Sequence, residues 1–482
     1  MSTKFDIIIV GAGLSGIAAS YHIQKNCPGK SFVVLEGRSD MGGTWDLFRY
    51  PGVRSDSDMF TLGYSFHPWK DSKNLADGGS ILQYIKETAR KFEIDKKIRY
   101  QSKVTDASWQ DEEKAWSLTV SDGASGQTRK YQCGFLLMCS GYYDYDNGYL
   151  PAFAKAEDYK GIMVHPQKWN GNIAYENKKV ILIGSGATAV TLAPELAKKA
   201  EKVFLLQRTP TYILSVAADD SLARVLKKIF PSKMAFQLAR WKNILFNQLV
   251  YVISKKWPKL IRRIIRKRIQ KKLGKDYDMK HFDPPYNPWD QRLCAVPEND
   301  FFNAIKENKL EMVTDQIDCF TRSGIKLLSG RELEADVIVT ATGLRIKLMG
   351  GMTLHVNGKK IDPAGLHCYR GVLFNELPNL GYTVGYTNAS WTLKCDLSSQ
   401  FVTKILNYMD RHKYQVCLPR FNPNQFGSEP FLDLSSGFIQ RASDILPKQG
   451  SRHPWKVYQN YLRDVWSLAI EPVDTESLEF RK

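Results

Sequence analysis

Two stretches of this chain are suited to turn a strand directly into a helix: Gly11-Ala12-Gly13-Leu14-Ser15-Gly16 and Gly184-Ser185-Gly186-Ala187-Thr188-Ala189. Each follows an apolar run, Phe5 to Val10 and Lys179 to Ile183, that reads as a buried strand, and the first precedes a helical pattern from Ile17 to Gln24. Glycine at these places permits the tight turn, lets backbone approach a pyrophosphate and lets helix pack on strand. The helix start offers free N–H groups and the positive end of its dipole. Two such turns in 482 residues predict an α/β chain with two Rossmann-like dinucleotide-binding domains.

The residues closing the next strands separate the two units. Ser31 to Leu35 ends in Glu36, 25 positions after Gly11, whereas Lys202 to Gln207 ends in Arg208, 24 positions after Gly184. A carboxylate there accepts hydrogen bonds from ribose hydroxyls, and a guanidinium fits a 2′-phosphate. The first unit is therefore expected to take FAD and the second NADP(H). Between them, Gly42-Gly43-Thr44-Trp45-Asp46-Leu47 suits a loop pressed against a flat isoalloxazine. In Arg49-Tyr50-Pro51-Gly52-Val53-Arg54-Ser55-Asp56, Asp56 close to two arginines is a candidate for proton handling or nicotinamide positioning.

Tyr159 to Asn170 (YKGIMVHPQKWN) reads as the connector between the two units, because Gly161 and Pro166 break any helical run. His165 and Trp169 stand four apart, where a helical turn would bring them together. Ala341-Thr342-Gly343, after the strand Asp336 to Val339, reads as the chain crossing back. The expected division is a FAD-binding domain in 1–145 and 345–482, with an NADP-binding domain in 146–344 that carries a basic helical insertion at 215–285.

With 43% hydrophobic and 24% charged residues the chain has material for a sizeable core. Its eight cysteines form no CxxC pair and no cluster with histidine at zinc spacing, so no metal is expected and the compartment is read as reducing and cytoplasmic. The same lack of a close redox pair argues against a flavin disulfide reductase. No apolar run reaches the ~18 residues needed to span a bilayer.

The net charge of +18 is concentrated: residues 221–275 hold 17 Lys or Arg and no Asp or Glu. Within that segment Leu260, Ile261, Ile264, Ile265, Ile269 and Leu273 recur at helical spacing among the cations. This predicts an amphipathic helix on an anionic membrane, on the inner face of the cell membrane, with a solvated helical cover over the core as the competing reading. No recognised nucleic-acid module is present, so nucleic acid is not an expected partner.

The sequence resembles the flavin-dependent Baeyer–Villiger monooxygenases, whose fingerprint FxGxxxHxxxW, followed by Pro or Asp, is filled by Tyr159, Gly161, His165, Trp169 and Asn170. Tyr159 and Asn170 depart from it. The resemblance is closer to the mycobacterial members, through GGTWDLFRYPGVRSDSDM, CSGYYDYDNGY, IGSGATAV, YNPWDQRLC, GYTNASWTLK and LPKQGSRHPW. It implies FAD contacts at Ser15, Glu36, Thr44, Trp45, Asp46, Leu47, Asp56 and Val104. It implies NADP contacts at Arg54, Ser55, Asp56, Ile183, Gly184, Ser185, Gly186, Ala187, Thr188, Ala189, Gln207 and Arg208. It also singles out Arg292 as the catalytic arginine, although the residue alone, in a proline-bounded loop, reads as a surface cation. The implied reaction uses NADPH, FAD and dioxygen to convert apolar ketones to esters or lactones, and oxygenates sulfides or thioamides. The alternatives are N- or S-oxygenation or long-chain alkane oxidation by a related flavin monooxygenase and, from another class, a membrane-docked NADP(H)-binding sensor without turnover.

Overall fold

The computed structural model describes residues 2–482 except 72, 124, 218, 433 and 434. Strand β1 (Thr3–Val10) runs through Gly11 into helix α1 (Leu14–Asn26), and strand β2 (Phe32–Leu35) returns beside β1 in parallel register, Ile7 opposite Phe32 and Val10 opposite Leu35. Ile7, Ile8 and Ile9 are fully buried on both faces of the sheet, as a continuous apolar run in a covered parallel sheet must be. On the other side of β1 lies Thr128–Met138, and beside it Leu380–Tyr382, also parallel. Strands from both ends of the chain thus share one eleven-stranded sheet.

The middle of the chain forms a second sheet of five parallel strands. Strand β3 (Lys179–Ile183) leads into helix α2 (Ala187–Ala197), and strand β4 (Lys202–Gln207) lies beside β3. The far edge strand is Ile162–Val164, so the connector contributes a sheet strand and is more than a linker. Its His165 and Trp169 flank a 3₁₀ turn over Pro166–Lys168 and part company: Trp169 is buried in the second core, while His165 turns back to the junction between units.

The basic segment forms helices α3 (Ser221–Ile229), α4 (Ser232–Lys256) and α5 (Pro258–Leu273), and these divide their packing. Ile265 and Ile269 of α5 are buried in the core of the second sheet, with Ile261 and Leu273 packed against it, so the apolar stripe expected to meet lipid is instead the stripe that seats the helix. Only Leu260 and Ile264 of that set are exposed. In contrast, Ala223 of α3 and Phe236 and Ala239 of α4 enter the core built on the first sheet. Arg240, 3% exposed, fixes α4 there: its Nη1 donates to the carbonyls of Phe60 (2.8 Å) and Gly63 (2.6 Å), and its Nη2 lies 3.7 Å from Asp396. A buried guanidinium so paired holds orientation, since breaking it leaves a charge stranded. Among the described residues no helix is long and apolar enough to cross a membrane.

Candidate active site

The two glycine-rich turns face one cleft of about 1170 Å³, walled by both units. Gly11 has φ +103°, and a Cβ there would lie 2.6 Å from the Cys139 carbonyl oxygen. Gly184 has φ +135° with Ala341 O at 2.3 Å from the same point. Each turn is therefore tucked under the carbonyl that follows the neighbouring strand. Beyond it the first turn is met by Gly43, whose Cβ would come within 3.2 Å of Gly13 Cα, a close approach that only glycines allow. Nothing lies within 4 Å of a Cβ at Gly186. Both turns therefore leave bare backbone toward the cleft, the arrangement a pyrophosphate requires.

Glu36 is buried where β2 ends, with both oxygens held by backbone: Ala12 N–H donates to Oε2 (2.7 Å) and Arg38 N–H to Oε1 (2.9 Å). Burial pushes its carboxyl above the usual range, against the pull of those N–H groups and of the Arg38 charge. Arg208 stands exposed on the cleft wall at the matching position, with no ion-pair partner among the described residues. Ser15 also faces the cleft, its Oγ accepting from Trp391 Nε1 (2.9 Å) and lying 3.1 Å from Cys395 Sγ.

Of the residues expected to contact the cofactors, Thr44, Trp45, Val104, Ser55 and the run Ile183 to Thr188 line the cleft. Five residues of the expected set do not. Asp46 turns away to bind Arg38 (2.6 Å) and Arg49 (2.5 Å). Leu47 packs against the second core, and Ala189 is buried within it. Gln207 donates to His281 O and Thr314 Oγ1. Gly16 has a supporting role, since a Cβ there would strike Gly11 O at 1.9 Å.

Between the turns three charged residues meet. Asp56 is half-buried; burial pushes its carboxyl up, and the charges of Arg292 first and Arg54 second draw it back toward the carboxylate. Of the two arginines near it in sequence, only Arg54 stays close, since Arg49 is committed to Asp46. Arg54 Nη1 sits 3.6 Å from Asp300, while its buried Nε and Nη2 have no hydrogen-bond partner among the described residues. Unmatched buried guanidinium donors are rare in folded chains, and Arg54 itself lines the cleft. Arg292 is exposed on the cleft wall rather than on the outer surface. Its loop is held by Trp289 at φ +71°, by Asn287 N–H on Asp290 Oδ2 (3.0 Å), and by Lys255 of α4 on Asp290 Oδ1 (3.0 Å). A bulky residue in left-handed backbone persists only where its surroundings impose it.

The passages between units are joined at His165. Its Nδ1 accepts from Gln167 N–H (3.2 Å), so Nε2 carries the proton and donates to Gly343 O (3.1 Å). The ring lies against Gly148, where a Cβ would come within 2.2 Å of it, and Gly148 pairs with Leu344 in a two-stranded ribbon formed by the outgoing and returning chain.

Residues 4–349 match the family described as flavin-binding monooxygenase-like. The chain belongs to that family. It is 48% identical to the FAD-containing monooxygenase EthA of Mycobacterium tuberculosis across 100% of this chain and 99% of the relative. It is 42% identical to the probable FAD-binding monooxygenase AlmA of Acinetobacter baylyi, across 100% and 97%. Two solved structures cover the whole chain and are themselves wholly covered: an oxidized steroid monooxygenase bound to NADP (TM-score 0.78, 20% identity) and cyclohexanone monooxygenase from Rhodococcus sp. Phi1 bound to NADP⁺ (TM-score 0.78, 19% identity). At those identities the likeness is one of fold. Tyr142, Tyr143 and Tyr145, to which the nucleotide-turn pattern assigns no role, also line the cleft. Tyr145 lies 3.4 Å from Thr44, and the Tyr142 ring lies 5.3 Å from Trp391. Their signal was available in CSGYYDY, directly after the strand that supports Gly11. Residues 435–441, including Arg441 with its guanidinium 3.6 Å over the Tyr149 ring, close another wall and had no local pattern to reveal them.

Proposed function

We propose that this chain is an NADPH- and dioxygen-dependent FAD monooxygenase of the Baeyer–Villiger type, converting apolar ketones to esters or lactones and oxygenating sulfur in sulfides or thioamides. The observation that carries the reading is the convergence of Asp56, Arg54 and Arg292 between two dinucleotide-type turns of opposite closing charge. FAD reduced by NADPH supplies the activation of dioxygen; the chain's own residues bind, orient and stabilise. The backbone of Gly11 and Gly13 and the Glu36 carboxylate hold the flavin nucleotide, and Arg208 grips the 2′-phosphate that distinguishes NADPH from NADH. Arg54, on the cleft wall beside Asp56, is assigned to the nicotinamide. Arg292 is the fixed cation beside which negative charge develops on the ketone oxygen as its carbonyl is attacked, and a preorganised charge in a shielded site stabilises that state more than the ground state. Asp56, when ionised, holds Arg292 by its charge. His165 joins the units and takes no part in proton transfer, because both its nitrogens are engaged by backbone.

The test is product analysis by mass spectrometry with the FAD-loaded chain, NADPH, ¹⁸O₂ and a panel of ketones and sulfides. One labelled oxygen in an ester, lactone or sulfoxide is expected. NADPH consumption that yields only hydrogen peroxide across the panel would refute the reading.

A further inference from the structure

Helix α4 has two apolar sides, and only one is used. Ala235, Phe236, Ala239 and Asn243 face inward and are buried. Leu238, Trp241, Leu245, Phe246, Leu249 and Val252 are exposed, Phe246 to 61%, Leu249 to 56% and Leu245 to 51%. At ~100° per residue all but Phe246 fall in a stripe roughly 80° wide on the side opposite the buried one. A helix covering a soluble core normally places polar residues there. The stripe continues onto α3, where Leu222, Val225 and Ile229 are likewise exposed, Ile229 to 66%. At Trp241 it meets the ring of Tyr461, 6.0 Å away, in the segment that also exposes Leu462, Trp466 and Ile470. Single exposed apolar residues are ordinary, but an aligned run over two helices marks a surface that another phase or molecule covers.

The charge around the run points to the occupant. Lys228, Lys233, Lys256, Lys259 and Arg263 are exposed along α3, α4 and α5, and none has an ion-pair partner among the described residues. Lys256 lies 4.9 Å over the exposed Trp257 ring. Not one acid interrupts residues 221–275. An apolar stripe bearing Trp241, on helices that carry cations and no acid of their own, matches the headgroup boundary of an anionic bilayer, into which the side chains sink while Lys and Arg meet the phosphates. We propose that the outer face of α3 and α4 docks the protein on an anionic membrane surface. This surface differs from the α5 stripe suggested by the sequence, which is internal. It is independent of the reaction assigned above. The docked helix reaches the reaction site through its own end: Lys255 holds Asp290 in the loop of Arg292, and the Asp290 carbonyl accepts from Ser435 N–H (3.0 Å) and Oγ (2.9 Å) at the cleft wall.

The experiment is sedimentation of the FAD-loaded full chain with vesicles of phosphatidylcholine alone or mixed with phosphatidylglycerol, at low and high salt. The wild type is expected to sediment with the mixed vesicles at low salt and to be released by high salt. The triple variant L245D/L249D/V252D is expected to bind at least about tenfold more weakly while keeping its flavin spectrum and NADPH oxidation. A second variant, K228Q/K233Q/K256Q/K259Q, leaves the apolar face intact and should lose the preference for anionic lipid even if the triple variant folds poorly. Wild type left in the supernatant at low salt overturns the proposal, as does binding that neither set of substitutions weakens. Sedimentation velocity without lipid covers the competing occupant: a dimer that the triple variant dissolves assigns the face to a second copy of the chain and overturns the membrane reading.

Discussion

Gly11 and Gly184 stand in the same relation to their own sheets: both have positive φ, and in both the missing Cβ makes room for a carbonyl that closes the neighbouring strand, Cys139 in one unit and Ala341 in the other. The second glycines are not alike. Gly13 is approached by Gly43 from a loop of its own unit, whereas Gly186 faces open space. The strand-closing residues then diverge in charge, Glu36 buried and doubly hydrogen-bonded, Arg208 exposed and without an ion-pair partner among the described residues. The difference is that a loop of its own unit closes over the first turn while the second leaves its side open, which supports the proposal that the first holds a flavin that stays and the second a nicotinamide nucleotide that is exchanged.

The sharpest break in this comparison comes at its shared part. Gly11→Ala forces a side chain into left-handed backbone and against Cys139 O, a cost of about 3 kcal/mol or more, and the variant should be recovered without FAD and with a markedly lower melting temperature. Gly186→Ala should fold as the wild type and raise the KM for NADPH, because its Cβ would meet no described residue within 4 Å and would project toward the proposed nucleotide. If both variants are equally stable, the two turns are not built as described.

Arg292 belongs to neither turn, and its removal should separate the steps they serve. In Arg292→Ala oxygenated product is expected to fall by about 100-fold or more, while NADPH still bleaches the flavin absorbance in anaerobic stopped flow. Parallel loss of both would assign Arg292 to nicotinamide binding instead.

Arg208→Ala should raise the KM for NADPH by roughly tenfold to a hundredfold, the worth of a charge-assisted phosphate contact, and leave that for NADH almost unchanged. Equal effects on the two nucleotides would remove the charge distinction between the units.

The smallest effect concerns the joint between them. Burial lowers the His165 pKa below its ordinary value, so the unfolded chain takes up this proton first as pH falls. The stability contributed is whole above about pH 6.5 and is lost as pH drops below it. His165→Asn should flatten that part of the stability-versus-pH curve measured by thermal unfolding; an unchanged difference between wild type and variant from pH 7.5 to 5.5 would show that the proton is not coupled to the fold.

Much of this was legible in local pattern. A glycine turn between an apolar strand and a helix has few structural solutions, so the two nucleotide units, their supporting strands and the opposite charges of Glu36 and Arg208 could be read before any fold was known. The connector was read less well: its Gly and Pro marked breaks correctly, but three residues between them, Ile162–Val164, became an edge strand through pairing with Val337–Val339, a partner far away in sequence. Asp46 and Leu47 sit in a loop whose neighbours do line the cleft, and side-chain direction in a short helical turn depends on partners, here Arg38 and the second core.

The basic segment shows where the boundary lies. Its sequence by itself determined that helices form and that each carries an apolar stripe, because both follow from 3.6-residue periodicity. It could not determine which stripe would be internal. That was decided when Ile265 and Ile269 found the second core, and when Arg240 fixed α4 to the first by its inner face, leaving the other apolar face of α4 outside. Periodicity states that a helix has an apolar side; only the number of surfaces available to cover such sides, which is a property of the assembled fold, states which of them meets protein.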